Sequence, residues 1–298
     1  MPWSIGGLLA IAACASTPLP QTALEFLTAA QAALDAKNPH RARYLLEKVD
    51  DSSFKGEELA RYMVLLATAR TDLGKFWDAY LALEEFPRKF PTSRYRATAA
   101  RLEYNAGKQL AGTGWTFLGM FSDLSDATKI LEHFVTYYSR SQWLPDALRI
   151  LGEAAYQQRA YDVAIERFQE LAQRSPGSAW SDLASYRIAL ANFRLIEGPD
   201  YDAGQMERAR RELTGYLQSD TTNEKFLSNA RAALSTVLRW QERKEIQLAK
   251  FYVTVGKPRG ARLHLQRVLD KPDPSFADEA RGLLRKVEQL EQQLRSDG

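Results

Sequence analysis

Side chains that could perform catalysis are scattered along this sequence. The three histidines, His40, His133 and His264, are far apart in the chain, whereas a metal site needs clustered ligands. The sequence contains no GxxxxGK[ST] phosphate loop, no GxSxG and no HExxH. Neighbouring carboxylates such as Glu57 and Glu58 are typical of a solvated helix face. We therefore predict that the protein is not an enzyme and holds neither a metal nor a cofactor.

Composition and charge narrow the class of partner. The 298 residues are 45% hydrophobic and 26% charged, which is ordinary for a soluble protein with a sizeable core. The 40 Lys and Arg residues nearly balance the 37 Asp and Glu residues, leaving a net charge of +3. Nucleic-acid binding normally requires a clustered basic face, so we predict no nucleic-acid partner.

One reactive side chain, Cys14, occupies an informative position. It is the only cysteine, so it cannot form an internal disulfide. It follows the apolar run IGGLLAIAA at residues 5–13. That run is too short for a membrane span of about 20 residues, but it has the length of a signal-peptide apolar region.

Residues 11–14, IAAC, resemble the lipobox of bacterial lipoproteins. In that family the chain is cut before the cysteine, whose new N-terminus is acylated. The resemblance implies a signal peptide over residues 1–13, a palmitate-type lipid on Cys14 and a tether over residues 14–21. Ala15, rather than Asp, implies an anchor on the periplasmic face of the outer membrane. The residues before the apolar run depart from the pattern because they include no Lys or Arg. The alternative is a frayed apolar N-terminus on a cytoplasmic protein.

A helical repeat must position whatever the chain binds. In RAYDVAIERFQELAQRSPGS, residues 159–178, Ala164, Phe168 and Leu171 lie on one face of a helix. Pro176 then prevents continuation of that helix. Gly152, on a preceding helix, marks a place where another helix must come close.

This pattern recurs along the chain. Equivalent trios begin at Ala42, Ala79, Ala127, Ala209 and Ala261. Small and apolar residues at these positions, with a period of about 34 residues, are typical of tetratricopeptide repeats. We predict an all-α fold, a right-handed α-solenoid of about six such helix pairs with a C-terminal capping helix. The alternative is an irregular all-helical domain.

Local signals place several boundaries. Thr22 and Glu25 predict a capping box at the first helix, and Pro39 predicts the start of the second. Glycines predict a break over residues 111–123, where Trp115 and Phe117 are apolar. This segment is either a partner- or membrane-facing patch or a loop folded into the core, and we favour the second interpretation.

From residue 145 onward the sequence resembles the BamD family, the lipoprotein subunit of the bacterial β-barrel assembly machinery. The segment RKEIQLAKFYVTVGKPRGARLHLQRVL, residues 243–269, carries the closest match. It has the family's basic lead, then Glu245, Tyr252 and Gly256. The resemblance divides the chain into N-terminal repeats over 22–141, an extension relative to that family, and BamD-like repeats with the capping helix over 142–298.

The resemblance implies a lipid-anchored scaffold that assists assembly of outer-membrane β-barrel proteins by protein binding. Its C-terminal repeats would dock a periplasmic domain of a BamA-like barrel protein. A more N-terminal groove would receive the C-terminal signals of unfolded outer-membrane proteins. Tyr186, Phe193 and Tyr252 are candidates for that groove, although core packing explains each equally well and is the interpretation we favour.

A basic run near the C-terminus supplies further candidates for contact with an acidic partner: Arg239, Arg243, Lys244, Arg259, Arg262 and Arg267. A solvated helix face explains the same residues. Two other functions stay open. One is a different envelope repeat lipoprotein that organises peptidoglycan or secretion machinery, and the other is an accessory subunit of a periplasmic enzyme.

Overall fold

A computed structural model describes residues 19–114 and 121–296, and within these ranges the chain is helical, with no strand. The helices of the first half are α1 (Ala23–Asp35), α2 (Pro39–Leu46), α3 (Gly56–Asp72), α4 (Phe76–Leu83), α5 (Phe86–Lys89), α6 (Arg96–Gly114) and α7 (Phe121–Tyr137). The second half contains α8 (Leu144–Gln157), α9 (Tyr161–Arg174), α10 (Ser181–Arg194), α11 (Ala203–Leu217), α12 (Glu224–Thr254), α13 (Pro258–Leu269) and α14 (Ala277–Ser296). The all-α prediction is confirmed.

The chain forms two compact units, Met1–Ala106 and Gly107–Gly298. In the described part of the first, α1 packs on α2, α2 on α3, and α3 on α4. Leu27, Leu45, Leu46 and Phe54 form part of its core. The division into 22–141 and 142–298 stays a prediction.

Two caps that the sequence predicts are present in the first unit. The Glu25 backbone N–H donates to the Thr22 hydroxyl, and the Thr22 N–H donates to the Glu25 carboxylate, which completes a capping box. Asn38 caps α2 by accepting from the Arg41 N–H, and Pro39 is the first residue of that helix. These side chains satisfy backbone donors that the first helical turn leaves unpaired.

In the second unit each helix from α7 to α14 packs on the next one, which is the arrangement of consecutive helix pairs that the repeats predict. The close approach predicted at Gly152 is confirmed, because a Cβ there would lie 2.8 Å from Cζ of Phe168. Phe168 itself is fully buried. The small residue therefore allows α9 to pack directly against α8.

The turn between the two helices of a pair has a recurring backbone geometry. Lys37, Gly74, Arg159 and Gly256 have φ values of 55°, 71°, 61° and 67°. Each lies in the turn after the first helix of its pair, between α1 and α2, α3 and α4, α8 and α9, and α12 and α13. This left-handed conformation ends a helix and reverses the chain at little cost for glycine.

The predicted break over residues 111–123 is wrong at both ends, because residues 111–114 and 121–123 are helical. Helix α6 continues through Gly112 to Gly114, and α7 begins at Phe121. A glycine inside a helix costs only about 1 kcal/mol relative to alanine, so surrounding contacts can override it. Trp115 and Phe117 lie outside the described residues, as does Cys14, and the interpretations of the segment at 115–120 stay predictions.

Candidate binding site

A concave pocket of about 920 Å³ opens beside the C-terminal ends of α8 and α10 and the middle of α12. Its wall combines aromatic rings with guanidinium groups, chiefly Tyr156, Tyr161, Arg187, Phe193, Arg194 and Trp240. Arg159 and Tyr201 lie at its margin. We call this the aromatic–arginine pocket.

A buried ion pair holds one side of the aromatic–arginine pocket. Nε and Nη2 of Arg187 donate to the two carboxylate oxygens of Glu153 at 2.6 and 2.8 Å. Glu153 is only 5% exposed. Burial lowers the pKa of Arg187, but the hydrogen bonds and charge of Glu153 outweigh it, and the pKa of Arg187 is raised above its usual value. The Arg187 guanidinium, 4.6 Å above the ring centre of Tyr156, is therefore a fixed cation.

A pair of stacked aromatic rings forms another part of the wall of the aromatic–arginine pocket. The rings of Phe193 on α10 and Trp240 on α12 stack with their centres 5.6 Å apart and 17° between their planes. The Arg194 guanidinium lies 5.8 Å from the Phe193 ring centre. Phe193, a candidate from the sequence, is therefore in the pocket wall, and its partner Trp240 lies on the first helix of the next pair.

The irregular segment after α10 closes the margin of the pocket. Nζ of Lys244 on α12 donates to the backbone carbonyl of Tyr201 at 2.6 Å. Asp202 then caps α11 by accepting from the Gln205 N–H. Lys244, which the sequence suggested as a partner contact, thus anchors this segment within the chain.

Two other aromatic candidates lie outside the aromatic–arginine pocket. Tyr186 is 4% exposed, stacks on Phe226 with ring centres 4.1 Å apart, and accepts a hydrogen bond from Asn229. Tyr252 stacks on His264 and covers Gly260, where a Cβ would lie 2.7 Å from its ring. Packing accounts for both positions, and their role in binding stays a prediction.

Most of the basic run contacts this chain's own carboxylates and rings. Arg243 lies 4.4 Å above the Phe276 ring centre and near Glu279, and Arg262 donates to Glu291 at 2.7 Å. Arg267 lies 3.6 Å from Glu245. Arg239 and Arg259 are exposed and make no hydrogen bond or ion pair with any residue that the structure describes. They are the members of the run available to a partner.

The aromatic–arginine pocket presents mainly aromatic rings and guanidinium groups. Its cations Arg159 and Arg194 face solvent, while Glu197 is its one exposed carboxylate. Flat rings and guanidinium groups suit an aromatic side chain next to an anion. In the described ranges no cluster of three or more His, Cys, Asp or Glu residues could hold a metal ion. Arg187 and Trp240 were not among the site residues expected from the sequence, although the spacing of 34 residues between Glu153 and Arg187 is a usable signal.

Comparison with known protein families places this pocket in context. Residues 120–293 match the model of the YfiO family, described as outer membrane lipoproteins. The chain belongs to this family. The match contains every residue of the aromatic–arginine pocket, whereas Leu19–Ala106 precede it. No curated protein matches the chain.

The family assignment confirms the coarser part of the resemblance seen in the sequence. The chain is a member of the YfiO family, whose description is outer membrane lipoprotein, and it has a helical repeat fold. Among the described helices, none is long and apolar enough to cross a membrane.

Proposed function

We propose that this chain is a non-catalytic, lipid-anchored repeat scaffold of the BamD type, which assists assembly or insertion of outer-membrane β-barrel proteins by protein binding. The observation that carries the proposal is the position of the aromatic–arginine pocket inside the repeats that match the family. A pocket of stacked rings and cations fits the aromatic, carboxylate-terminated end of an unfolded outer-membrane protein.

In this proposal the ligand's terminal aromatic ring packs against Phe193 and Trp240. Its carboxylate pairs with Arg194 and Arg159, because Arg187 is already neutralised by Glu153. The C-terminal repeats dock the periplasmic domain of a BamA-like barrel protein, and the exposed Arg239 and Arg259 supply cations for that contact.

The binding test uses a dye-labelled peptide that ends in an aromatic residue with a free carboxylate, titrated with the full chain in detergent. We expect Arg194→Glu to weaken binding by at least about ten-fold, since one charge-assisted contact becomes repulsive. Arg231→Glu is the matched control, because Arg231 lies on α12 with its side chain 61% exposed and outside the pocket. Equal affinity for the free and amidated peptide would contradict the proposal.

The anchor is tested separately by Cys14→Ala. We expect the wild-type chain to begin at Cys14, carry acyl mass and fractionate with the outer membrane, and the variant to retain residues 1–13. Intact mass spectrometry and membrane flotation measure both properties. A wild-type protein that keeps residues 1–13 and carries no lipid would contradict the proposed lipid anchor at Cys14.

A second function is favoured by one observation, namely that the helices of Leu19–Ala106 precede the family match. It is that of another envelope repeat lipoprotein, which organises peptidoglycan or secretion machinery through this extension. Mild crosslinking in cells distinguishes the two. A barrel-assembly subunit among the captured proteins supports the first function, and peptidoglycan or secretion components without it support the second.

A further inference from the structure

The first unit contains a groove of about 380 Å³ between helices α1, α3 and α6. Each of these is the first helix of its pair, and the first helices line the concave surface of a repeat array. On α3 the groove-facing positions 61, 64, 65, 68 and 72 follow helical spacing. The groove is therefore formed by one continuous face of α3 with its two neighbours.

The middle of this groove is apolar. Val64 and Leu65 are each 5% exposed, and Leu34 of α1 lines the groove and packs against the cluster that contains Leu65. The Thr68 hydroxyl donates its proton to the Val64 carbonyl at 2.7 Å, so that proton is already hydrogen-bonded within α3. An aliphatic side chain of an extended peptide would find its contacts here.

Two cations occupy equivalent positions at one end of the groove. Arg61 and Arg101 are each the sixth residue of their helices, α3 and α6. Both line the groove, and neither makes a hydrogen bond or ion pair with any residue in the described ranges. By contrast, Arg70, also on α3, donates to the Asp78 carbonyl and lies near Glu47. Arg61 and Arg101 are thus left for a ligand.

Carboxylates occupy the other end. Asp35, near the C-terminus of α1, accepts from Gln31 at 3.0 Å. Asp72, the last residue of α3, has no hydrogen-bond or ion-pair partner among the described residues. The groove therefore has a positive end, an apolar middle and a negative end.

We propose that this groove binds an extended peptide segment whose carboxylates pair with Arg61 and Arg101, whose aliphatic side chain contacts Val64 and Leu65, and whose basic residue faces Asp72. Charge complementarity selects this occupant, because two guanidinium groups that line the same groove favour carboxylates on the ligand. The segment belongs to another protein. This site precedes the residues that match the family, so it does not depend on the proposed function.

The test is a peptide array probed with the dye-labelled full chain in detergent. Each peptide has two variable residues at one end (Glu, Gln or Lys), two variable residues in the middle (Leu or Ser) and one Lys or Gln at the other end. We expect retention to rise with Glu at the first end and with Leu in the middle. Arg61→Glu and Arg101→Glu should each reduce affinity for the best peptide by at least about ten-fold.

Arg88→Glu is the matched control, because it makes the same charge change at a residue of α5 that is outside the groove and 54% exposed. Circular dichroism verifies that all three variants fold. Retention that does not depend on the number of glutamates in the peptide would overturn the proposal. An equal loss of peptide affinity in all three variants would also overturn it. Self-association that only Arg61→Glu and Arg101→Glu abolish would place a second copy in the groove and also overturn it.

Discussion

Arg187 on α10 donates two hydrogen bonds to Glu153 on α8, and the two residues are 34 positions apart. The same spacing joins Tyr216 to Asp182 at 3.1 Å and Gln241 to Glu207 at 3.4 Å. A spacing of 34 residues is the length of one repeat. Arg187 and Glu153 lie on the first helices of neighbouring pairs, whereas Tyr216 and Asp182 join the two helices of one pair, and Gln241 and Glu207 join α12 to α11. These polar contacts therefore help to fix the register of adjacent helices, in addition to the apolar residues that the repeat pattern reveals.

Arg187→Met tests the energetic role of this ion pair. The variant leaves the Glu153 carboxylate buried without a cation, and removing one partner of a buried pair typically costs about 3 kcal/mol or more. We expect the free energy of unfolding to fall by about 3 kcal/mol in urea denaturation followed by circular dichroism. Arg210→Met is the control, since Arg210 pairs with Glu207 at the surface and should cost less than about 1 kcal/mol. Equal costs in the two variants would contradict the prediction.

Gly152→Ala tests the close approach of α8 and α9. The added methyl group would lie 2.8 Å from Phe168, whose ring is fully buried and cannot move aside. We expect a loss of about 1–3 kcal/mol from overpacking. Gly215→Ala is the matched control, because Gly215 is also helical and a Cβ there meets no atom within 4 Å. The free energy of unfolding of Gly215→Ala should rise by up to about 1 kcal/mol, because alanine has the higher helix propensity.

The raised pKa of Tyr216 predicts that the folded protein loses stability at alkaline pH. Burial raises the pKa of Tyr216 to about 12, with a further increase from Asp182 that Thr221 opposes. In the unfolded chain the tyrosine pKa is its ordinary value of 10.0, so as the pH rises ionisation stabilises the unfolded state first. We expect the protonated Tyr216 hydroxyl to make its full contribution to the free energy of unfolding below about pH 10. This contribution should be lost as the pH rises toward about 12.

Thermal unfolding of Tyr216→Phe across this pH range measures that contribution. The variant should be less stable near neutrality by about 1 kcal/mol, because the hydrogen bond to Asp182 is lost. Its melting temperature should fall less steeply between about pH 10 and about pH 12. Parallel pH curves for the two proteins would count against a role for this hydroxyl.

Lys37→Gly tests the left-handed turn between α1 and α2. Lys37 has φ 55°, a conformation that costs a residue with a side chain about 1–2 kcal/mol. The greater freedom of glycine in the unfolded chain offsets part of the gain. We expect a net stabilisation of about 0.5–1 kcal/mol by urea denaturation. Lys37→Ala keeps the Cβ and should leave the free energy of unfolding unchanged. Equal stabilisation by both substitutions would therefore show that the effect does not come from the left-handed backbone conformation.

The sequence predicted features that depend on neighbouring residues. The Thr22 capping box, the proline at the start of α2 and the glycine beneath Phe168 each follow from side-chain geometry within one helix pair. The aromatic–arginine pocket did not follow, because Phe193 meets Trp240 only when α10 and α12 are placed side by side.

The basic run near the C-terminus likewise makes contacts that depend on helices distant in the sequence. Arg262 and Arg243 lie near carboxylates of α14, and the return of that helix alongside α12 and α13 is a tertiary property. A charge pattern alone therefore does not show which of these cations pair within the chain.

The polar pairs that join neighbouring helices of the second unit have a consequence for its folding. Contacts that span about one repeat close short loops, so little chain entropy is lost before they form. Such a unit can form its first stable interface as soon as two adjacent repeats are present and then extend by adding further repeats. A chain that emerges from a translocation pore in order would thus fold progressively from the portion already released.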